Sequence, residues 1–349
     1  MAASGYRGVK PAGTLPVQAE SAPRVEIPGG PGVRDPYAAT AGFLWWRGQL
    51  HTHTSRSFDG DPAVSPARRA ALYQAQGYDF ACFTDHDRVT SLRSTIIEAS
   101  ISTETAPESR PFLALPGIES TDPSAHLGIW LIGDEAAGNL MDPPAAPSSR
   151  SPATRMEEWA AGGALVCCNH PSHSSAPLTA AQVEGWAGAG VPFRFLEVFN
   201  TKANPHNQGL DYNLEVWRRA IDAAGPELPV WGVASDDSHS HAVGPGWVTV
   251  AAPALTAQSV REALLAGRFY ASSGLDFAFL GVSPEHGGIL ASAPGATTIR
   301  FLNANGSVMA QLSGDTGSYA PHDSDRWVRV EASDAAGHIA WSQPFWVNS

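Results

Sequence analysis

Apolar and polar positions follow two different periods through the middle of the chain. From Trp45 onward, short apolar runs typical of buried β-strands are separated by stretches with apolar residues at helical spacing. This alternation favours an α/β fold over an all-α or all-β one. Strands are predicted at residues 47–51, 78–84, 112–118, 127–132, 164–168, 195–199 and 230–234. Seven such strands are enough to close a barrel.

Three of the helices have recognisable ends. Ser65 followed by Pro66 predicts a helix N-cap and first turn, and Gly77 suits the left-handed residue that ends this helix. A second helix is predicted over residues 210–225, where the apolar side chains form one stripe. A third is predicted over residues 256–267, which begin with a threonine and end with a glycine.

The two ends of the chain differ from its middle. Residues 1–42 are rich in proline, glycine and alanine, which predicts an extended or disordered N-terminal arm. From residue 277 to residue 349 the pattern changes to short alternating runs separated by turns such as Asn305-Gly306, which predicts a small C-terminal β-sandwich. The barrel is therefore expected to span residues 43–276.

Composition excludes several classes of protein. The 349 residues are 43% hydrophobic but contain no apolar stretch long enough to span a membrane, so no membrane partner is expected. The 22 Lys and Arg against 34 Asp and Glu leave a net charge of -12, which argues against a nucleic-acid polymer as partner. The N-terminus lacks the apolar core of a secretory signal, so we expect a cytoplasmic protein.

The three cysteines limit the kind of metal site that the chain could form. Cys167 and Cys168 are neighbours and Cys82 lies in an apolar run, so buried reduced thiols are expected rather than a disulfide framework. There is no Cys-x-x-Cys pair of the kind that holds structural zinc. A metal site would have to use histidine and carboxylate ligands.

Histidines and carboxylates fall at or just after the ends of the predicted strands. The first strand leads into His51-Thr52-His53, and strand alternation places both imidazoles on one face. The further candidates are Asp59, His86, Glu119, His126, His170, Asp237 and His239. Because the carboxyl ends of barrel strands converge on one rim, these side chains are expected to meet there. Imidazole and carboxylate ligands suit Zn, Mn and Fe.

Several short motifs carry a family resemblance over about residues 45–274. They are residues 48–54, 77–87, 116–119, 169–171, 197–200, 235–239 and 267–274, among them Gln49-Leu50-His51-Thr52-His53, Thr84-Asp85-His86, Pro116-Gly117-Ile118-Glu119 and Asn169-His170-Pro171. Together they resemble the PHP superfamily (polymerase and histidinol phosphatase), and more closely its CehA/McbA-like branch of metallohydrolases. That resemblance implies a distorted (β/α)7 barrel of the TIM type and often a trailing β domain.

The resemblance also implies two to three divalent ions, with Zn, Mn and Fe all allowed. The first ion would be held by His51, His53, Glu119 and Asp237. Glu119 would bridge to a second ion, and the ligands completing that ion would be His126 and His170. The third ion would be held by Asp59, His86 and His239.

The expected activity is that of a metal-dependent phosphoesterase. A hydroxide held between two ions would attack a small anionic phosphomonoester or phosphodiester. Glu119, His126 and His173 are the candidates for catalytic roles, since Glu119 bridges the ions and either histidine could protonate the leaving group. Lys202, His206 and Arg268 are the candidates for contacts with the anionic substrate.

Two other functions remain open on the sequence. The same metal centre could hydrolyse a carbamate or a carboxylic ester, and an aryl leaving group could lie among aromatic residues such as Trp45, Trp46, Trp130 or Tyr270. Alternatively the metal cluster could be structural, with the β domain acting as a non-catalytic binding module. Sites of histidine and carboxylate that leave coordination positions open are more typical of catalysis.

Overall fold

A computed structural model describes residues 22–27, 30–90, 111–133 and 150–348. The strands of the barrel region are β3 (Leu44–Gln49), β4 (Phe80–Phe83), β5 (Leu113–Ser120), β6 (Leu127–Trp130), β7 (Leu165–Cys168), β8 (Phe195–Asn200), β9 (Trp231–Ser235), β10 (Trp247–Ala252) and β11 (Phe269–Ser272). The helices are α1 (Pro66–Ala75), α2 (Pro152–Ala161), α3 (Ala180–Gly188), α4 (Leu210–Ala224) and α5 (Ala257–Leu265). The remaining strands are β1 (Arg24–Glu26), β2 (Gly32–Arg34), β12 (Phe279–Ser283), β13 (Gly288–Ser292), β14 (Thr298–Asn303), β15 (Val308–Ser313), β16 (Thr316–Tyr319), β17 (Trp327–Ser333), β18 (Ile339–Trp341) and β19 (Phe345–Val347).

The three predicted helices are confirmed, and side-chain caps account for where two of them begin. The hydroxyl of Ser65 accepts the backbone N–H of Arg68 at the start of α1, and Thr256 caps α5 in the same way. Gly77 adopts a positive φ of 80° just after α1, as a residue that ends a helix requires. Local sequence therefore determines where these helices start and stop.

The barrel strands form one curved sheet in the order β11-β10-β3-β4-β5-β6-β7-β8-β9. β3, β4 and β5 are parallel to one another, and so are β7, β8 and β9. β6 is antiparallel to both of its neighbours, so the prediction of seven equivalent parallel strands is not confirmed. The reason is the short connection after Ser120, because a crossover between parallel strands needs a dozen or more residues.

The reversed direction of β6 matters for the position of His126. In a strand that runs antiparallel to its neighbours, the amino end lies beside the carboxyl ends of those neighbours. His126 directly precedes β6, so it lies at the same rim as Glu119 on β5. A hairpin therefore delivers two side chains to the site where a parallel strand would deliver one.

The C-terminal strands form two layers that share one buried apolar cluster. β12, β13 and β16 make a three-stranded sheet, and β14, β15, β17, β18 and β19 extend the barrel sheet through the pairing of β18 with β11. Ile289 and Tyr319 from the small sheet pack with Ile299, Phe301 and Val330 from the large one. The strands β1 and β2 pair with each other, and β2 also pairs with β19. Residues 22–27 and 30–42 of the expected N-terminal arm thus contribute two strands beside the C-terminal strands.

Two further expectations concern the core and the membrane. Cys82, Cys167 and Cys168 are all buried and free, as predicted. Within the described ranges, no helix combines the length and apolar character that crossing a membrane requires.

Candidate metal centre

The carboxyl end of β3 brings His51 and His53 into the barrel. The side-chain oxygen of Gln49 accepts the backbone N–H of Leu50 and of His51, which turns the chain at the strand end. The backbone N–H of His53 donates to the carbonyl of Ser238, so this turn is tied to the loop after β9. Both imidazoles are buried as a result.

Four potential ligand atoms converge in the first group. His51 Nε2 lies 3.1 Å from His53 Nε2, 3.3 Å from Glu119 Oε2 and 3.3 Å from Asp237 Oδ1. His53 Nε2 lies 3.3 Å from the same oxygen of Glu119 and 3.1 Å from that of Asp237. Ligands of a tetrahedral zinc ion, held at their usual bond lengths, are separated from one another by about 3.3 to 3.4 Å. The spacing of the His51, His53 and Glu119 atoms therefore fits one small divalent cation, with Asp237 Oδ1 beside both imidazoles as a further candidate ligand.

Hydrogen bonds on the far side of each imidazole fix which nitrogen faces the group. Glu197 Oε1 lies 2.8 Å from His51 Nδ1, so this nitrogen carries the proton that it donates to the carboxylate. Ser57 Oγ donates its proton to Asp85, so His53 Nδ1, at 2.8 Å from that oxygen, is the donor to it. In the neutral imidazoles both Nε2 lone pairs then face each other and two carboxylate oxygens, and these carboxylates raise the pKa of His51 and of His53 in spite of burial because they favour positive charge here. A cation resolves that repulsion.

Asp237 gives a second indication that a cation belongs in this group. Its Oδ1 is buried, faces nitrogens of His51, His53 and His239 at 3.1 to 3.4 Å, and has no hydrogen-bond donor aligned on it. A buried charged oxygen in this state is costly unless a donor or a metal ion satisfies it. The donor set and the orphaned oxygen together fit a divalent metal.

The second group forms on the other oxygen of Glu119. His126 Nδ1 lies 3.2 Å from Glu119 Oε1, and His170 Nε2 lies 3.1 Å from it. Asn169 Nδ2 donates to the same oxygen at 3.1 Å. Two imidazoles and one carboxylate are three protein ligands, which would leave a fourth position of a tetrahedral ion open for water or substrate.

The third group lies nearer the surface. His86 Nε2 is 3.4 Å from one oxygen of Asp59, and His239 Nε2 is 3.2 Å from the other. Asp59 is about a third exposed, whereas His53, which lies against this group, is fully buried. Lys202 Nζ approaches both ring nitrogens of His239 at 3.1 Å. The nine predicted ligands thus lie in one cluster, with the third group at its mouth.

The backbone is strained at two of these ligands. His170 has a φ of 25° and Asp237 a φ of 49°, conformations that residues with a side chain rarely adopt. Such conformations persist where surrounding contacts enforce them, and they concentrate at functional sites. Here the backbone N–H of His170 is held by Glu197 at 2.7 Å.

The electrostatics of the cluster favour added positive charge. Burial alone would raise the pKa of Glu119, but the neighbouring imidazoles, led by His51, bring that pKa well below its usual range. Burial lowers the pKa of His51, yet Asp237 and Glu119 more than offset this and leave it well above the ordinary value. Burial together with neighbouring His53 lowers the pKa of His86 and of His239 to about 4. These two imidazoles are therefore neutral, and able to bind a metal, at pH 7.

Glu197 was part of a sequence motif but not among the predicted site residues. Its Oε1 accepts from His51 Nδ1 and from Ser235, and its Oε2 accepts from the backbone N–H of His170 and from Asn200 Nδ2. Glu197, His51 and His170 also form a buried group close enough to hold an ion. Because both oxygens of Glu197 already accept hydrogen bonds, the geometry favours a role in orienting His51 and His170. The available signal in the sequence was a charged residue between the apolar residues of strand β8.

Two buried arginines from the surrounding helices hold the ligand-bearing loops. Arg69 of α1 donates to the carbonyl of His53 at 2.9 Å and to the hydroxyl and carbonyl of Ser238 at 2.8 and 3.2 Å. Arg155 of α2 donates to the carbonyl of Ala125 at 2.8 Å, next to His126. Through its arginine, each helix therefore holds a ligand-bearing loop by hydrogen bonds to the carbonyls of that loop.

The remaining predicted residues differ in how close they lie to the metal cluster. His173 is half-buried, and its ring lies 5.1 Å from that of His170. His206 is exposed in the turn Pro205–Asn207 and belongs to none of the His and carboxylate groups. Arg268 does not lie at the site. It directly precedes β11, and the first residue of β11 pairs with the same residue of β10 that pairs with Trp46 of β3. Its guanidinium lies 5.8 Å from the centre of the Phe43 ring. That is the amino end of β3, opposite to the end that carries His51.

Comparisons with known proteins leave the family open. No family model matches the chain, and no curated protein matches it. A two-domain protein of Bacteroides vulgatus containing a predicted PHP-like metal-dependent phosphoesterase is 15% identical over 94% of this chain and 91% of its own, with a TM-score of 0.44. The lesion-specific endonuclease EndoQ of Pyrococcus furiosus is 13% identical over 64% of this chain and 56% of its own, with a TM-score of 0.43. An amidohydrolase of Chromobacterium violaceum with bound sulfate and no metal is 15% identical over 55% of this chain and 87% of its own, with a TM-score of 0.38. Similarity at this level does not assign the chain to a family or an activity.

Proposed function

We propose that this chain is a metal-dependent phosphoesterase of the PHP type, within or near the CehA/McbA-like branch. The observation that carries the proposal is the position of Glu119. Its Oε2 lies 3.3 Å from His51 and His53, and its Oε1 lies 3.1 to 3.2 Å from His170 and His126. His86 Nδ1 also lies 3.2 Å from Oε2. One carboxylate whose two oxygens face separate sets of imidazoles is the arrangement that bridges two metal ions.

The residues present would hold two to three divalent ions of Zn, Mn or Fe. When bound, such ions would supply Lewis acidity for activating water and for neutralising charge on a phosphoryl group. Glu119 would keep the first two ions close together, and Glu197 would hold His51 and His170 in place for them. The rim residues would then bind and orient the substrate.

Charge favours a small anionic substrate. Three divalent ions would bring a charge of about +6, and the carboxylates of Asp59, Glu119, Asp237 and Glu197 return about -4. Lys202, beside His239, adds a further positive charge at the mouth. A positive pocket in a chain of net charge -12 suits a small phosphomonoester or phosphodiester better than a nucleic-acid polymer.

His173 is the residue best placed to give the leaving group a proton. It is partly exposed and lies beside His170, at the rim where a leaving group would depart. Its Nδ1 accepts the backbone N–H of Ser175 at 3.4 Å and lies 2.6 Å from Ser175 Oγ, so Nε2 is the atom that would hold the transferable proton. His126 is less suited to this role, because its Nδ1 faces Glu119 and would ligate the second ion.

A substrate panel tests the proposal. Protein loaded with Zn, Mn or Fe should turn over p-nitrophenyl phosphate or bis(p-nitrophenyl) phosphate faster than p-nitrophenyl acetate or an aryl carbamate. Asp237→Asn should lower that rate by at least about 100-fold, because it removes a charged ligand. Asp211→Asn is the matched control, since Asp211 is exposed in the first turn of α4, and it should leave the rate unchanged.

The other outcomes each contradict the proposal. Faster turnover of the carbamate or the carboxylic ester would identify the electrophile as a carbonyl group. Full metal content without turnover of any of the four substrates would favour a structural metal cluster and a binding function.

A further inference from the structure

Phe58 lies exposed beside the metal cluster. Its side chain is 79% exposed, the highest value among the large apolar side chains of the described residues. The ring stacks on the imidazole of His86, with 4.7 Å between ring centroids and 25° between ring planes. His86 in turn lies 3.2 Å from Glu119 Oε2. One face of Phe58 thus covers a candidate ligand while much of the ring remains open to solvent.

The loop that carries Phe58 is fixed on both sides of it. Ser57 Oγ bonds to Asp85 at 3.0 Å and accepts the backbone N–H of His86 at 3.1 Å. Asp59, on the other side, lies against both His86 and His239. Both chain neighbours of Phe58 are therefore held by the cluster, so the backbone at Phe58 is fixed by the site and its ring stacks on His86.

The turn after Phe58 adds a further constraint. At Gly60 a Cβ atom would lie 1.9 Å from the carbonyl oxygen of Thr54, so only glycine allows the loop to close this tightly. The next residue, Asp61, donates its backbone N–H to the carbonyl of His239. The loop is thus closed against a segment that carries a candidate ligand, which argues against a mobile surface position for Phe58.

We propose that Phe58 is a specificity-determining residue that packs against an aryl group of the substrate. The inference rests on the proposed phosphoesterase function and adds the substrate class, an aryl phosphoester. A phosphoryl group held at the cluster would place its organic substituent at the mouth, where Phe58 and Asp59 lie. An apolar ring placed there would cover the exposed face of Phe58, and a flat aromatic ring would match it best.

The chemistry of the leaving group agrees with this class. An aryl oxide departs with less help from a proton than an alkoxide does, because a phenol ionises near pH 10. The positive charge of the site would stabilise the aryl oxide as it forms. The exposed Trp45 lies elsewhere, since it packs against Tyr37 and Tyr270, toward the amino end of β3.

Binding of two phosphonates to the zinc-loaded protein tests the role of Phe58 without relying on turnover. By titration calorimetry, the wild type should bind phenylphosphonate about 10-fold more tightly than methylphosphonate, the factor that about 1.4 kcal/mol represents. Phe58→Ala should bind the two within about 3-fold of each other and keep its affinity for methylphosphonate. Phe58→Tyr retains the aromatic face and should keep the preference.

A matched control and the metal content separate the explanations. Phe279 is also exposed, at 45%, but lies on β12, so Phe279→Ala should keep the 10-fold preference. Metal content should be unchanged in the Phe58 variants. Equal binding of the two phosphonates by the wild type, or a preference that survives in Phe58→Ala, would overturn the role of Phe58 and leave the phosphoesterase proposal intact. Failure of the zinc-loaded wild type to bind either phosphonate would overturn both.

Discussion

Glu197→Gln should weaken metal binding although Glu197 is not itself a ligand. In the wild type, one oxygen of Glu197 accepts from His51 Nδ1 at 2.8 Å and the other accepts from the backbone N–H of His170 at 2.7 Å. An amide has only one oxygen, so it can serve only one of these donors. The substitution therefore damages one of the two metal groups whichever way the amide turns.

The two orientations of the amide lead to distinguishable results. If its oxygen stays on the backbone of His170, its NH2 faces His51 Nδ1, which moves the imidazole proton to Nε2 and blocks the first group. If the amide turns over, the buried N–H of His170 loses its acceptor, at a cost of about 1 to 3 kcal/mol, and the second group is displaced. Changes of this kind around a ligand typically weaken metal binding by about 10- to 100-fold, or about 1.4 to 2.7 kcal/mol.

Competition for zinc against a chromophoric chelator measures this effect. We expect at least one ion of Glu197→Gln to bind about 10- to 100-fold more weakly than in the wild type. Glu157→Gln removes the same charge from an exposed position on α2 and should bind zinc as the wild type does. Zinc affinities within twofold of the wild type for all ions, in a Glu197→Gln protein that stays folded, would refute the reasoning.

Three other substitutions test separate parts of the structure. Arg69→Met leaves the carbonyl of His53 without its buried side-chain donor and removes the bonds to the hydroxyl and carbonyl of Ser238, so urea unfolding should show a loss of about 2 to 3 kcal/mol. Burial raises the pKa of Asp35 from 3.8 to about 6, so its contribution to stability is fully present below the unfolded-state pKa of 3.8 and is lost as the pH rises through 6. Compared with Asp35→Asn, the metal-free wild type should lose about 2 kcal/mol between pH 4 and 7 in urea unfolding. His86→Ala should remove about one metal equivalent while the other ions remain, as elemental analysis would show. An unchanged unfolding free energy in Arg69→Met would contradict the first expectation. The same pH dependence of stability in Asp35→Asn and in the wild type would contradict the second, and loss of all metal from His86→Ala would contradict the third.

The convergence of the candidate ligands on one rim was predictable from strand ends, whereas their assignment to separate ions came from the family resemblance. His51, His53 and Asp237 were predicted because a residue at the carboxyl end of a barrel strand faces one rim whatever else the strand contacts. The direction of β6 was not predicted, although the short connection between Glu119 and His126 carries that information. Counting apolar runs identifies strands but does not give their direction.

Positions that depend on tertiary packing were missed. Arg69 and Arg155 look like ordinary surface charges of amphipathic helices, and only the fold shows that both are buried against carbonyls. The error at Arg268 has a similar origin. β10 was not predicted, so the start of β11 could not be placed at the opposite end of the curved sheet from His51.

Metal content of the wild type and of Glu119→Gln tests the central claim most directly. Elemental analysis after gentle purification should find two to three divalent ions per chain in the wild type. Glu119→Gln should lose at least one of them, because a neutral amide cannot serve two cations as the two oxygens of Glu119 do in facing His51 and His170. A wild type with less than one ion per chain, or a Glu119→Gln protein with its full metal content, would contradict the account.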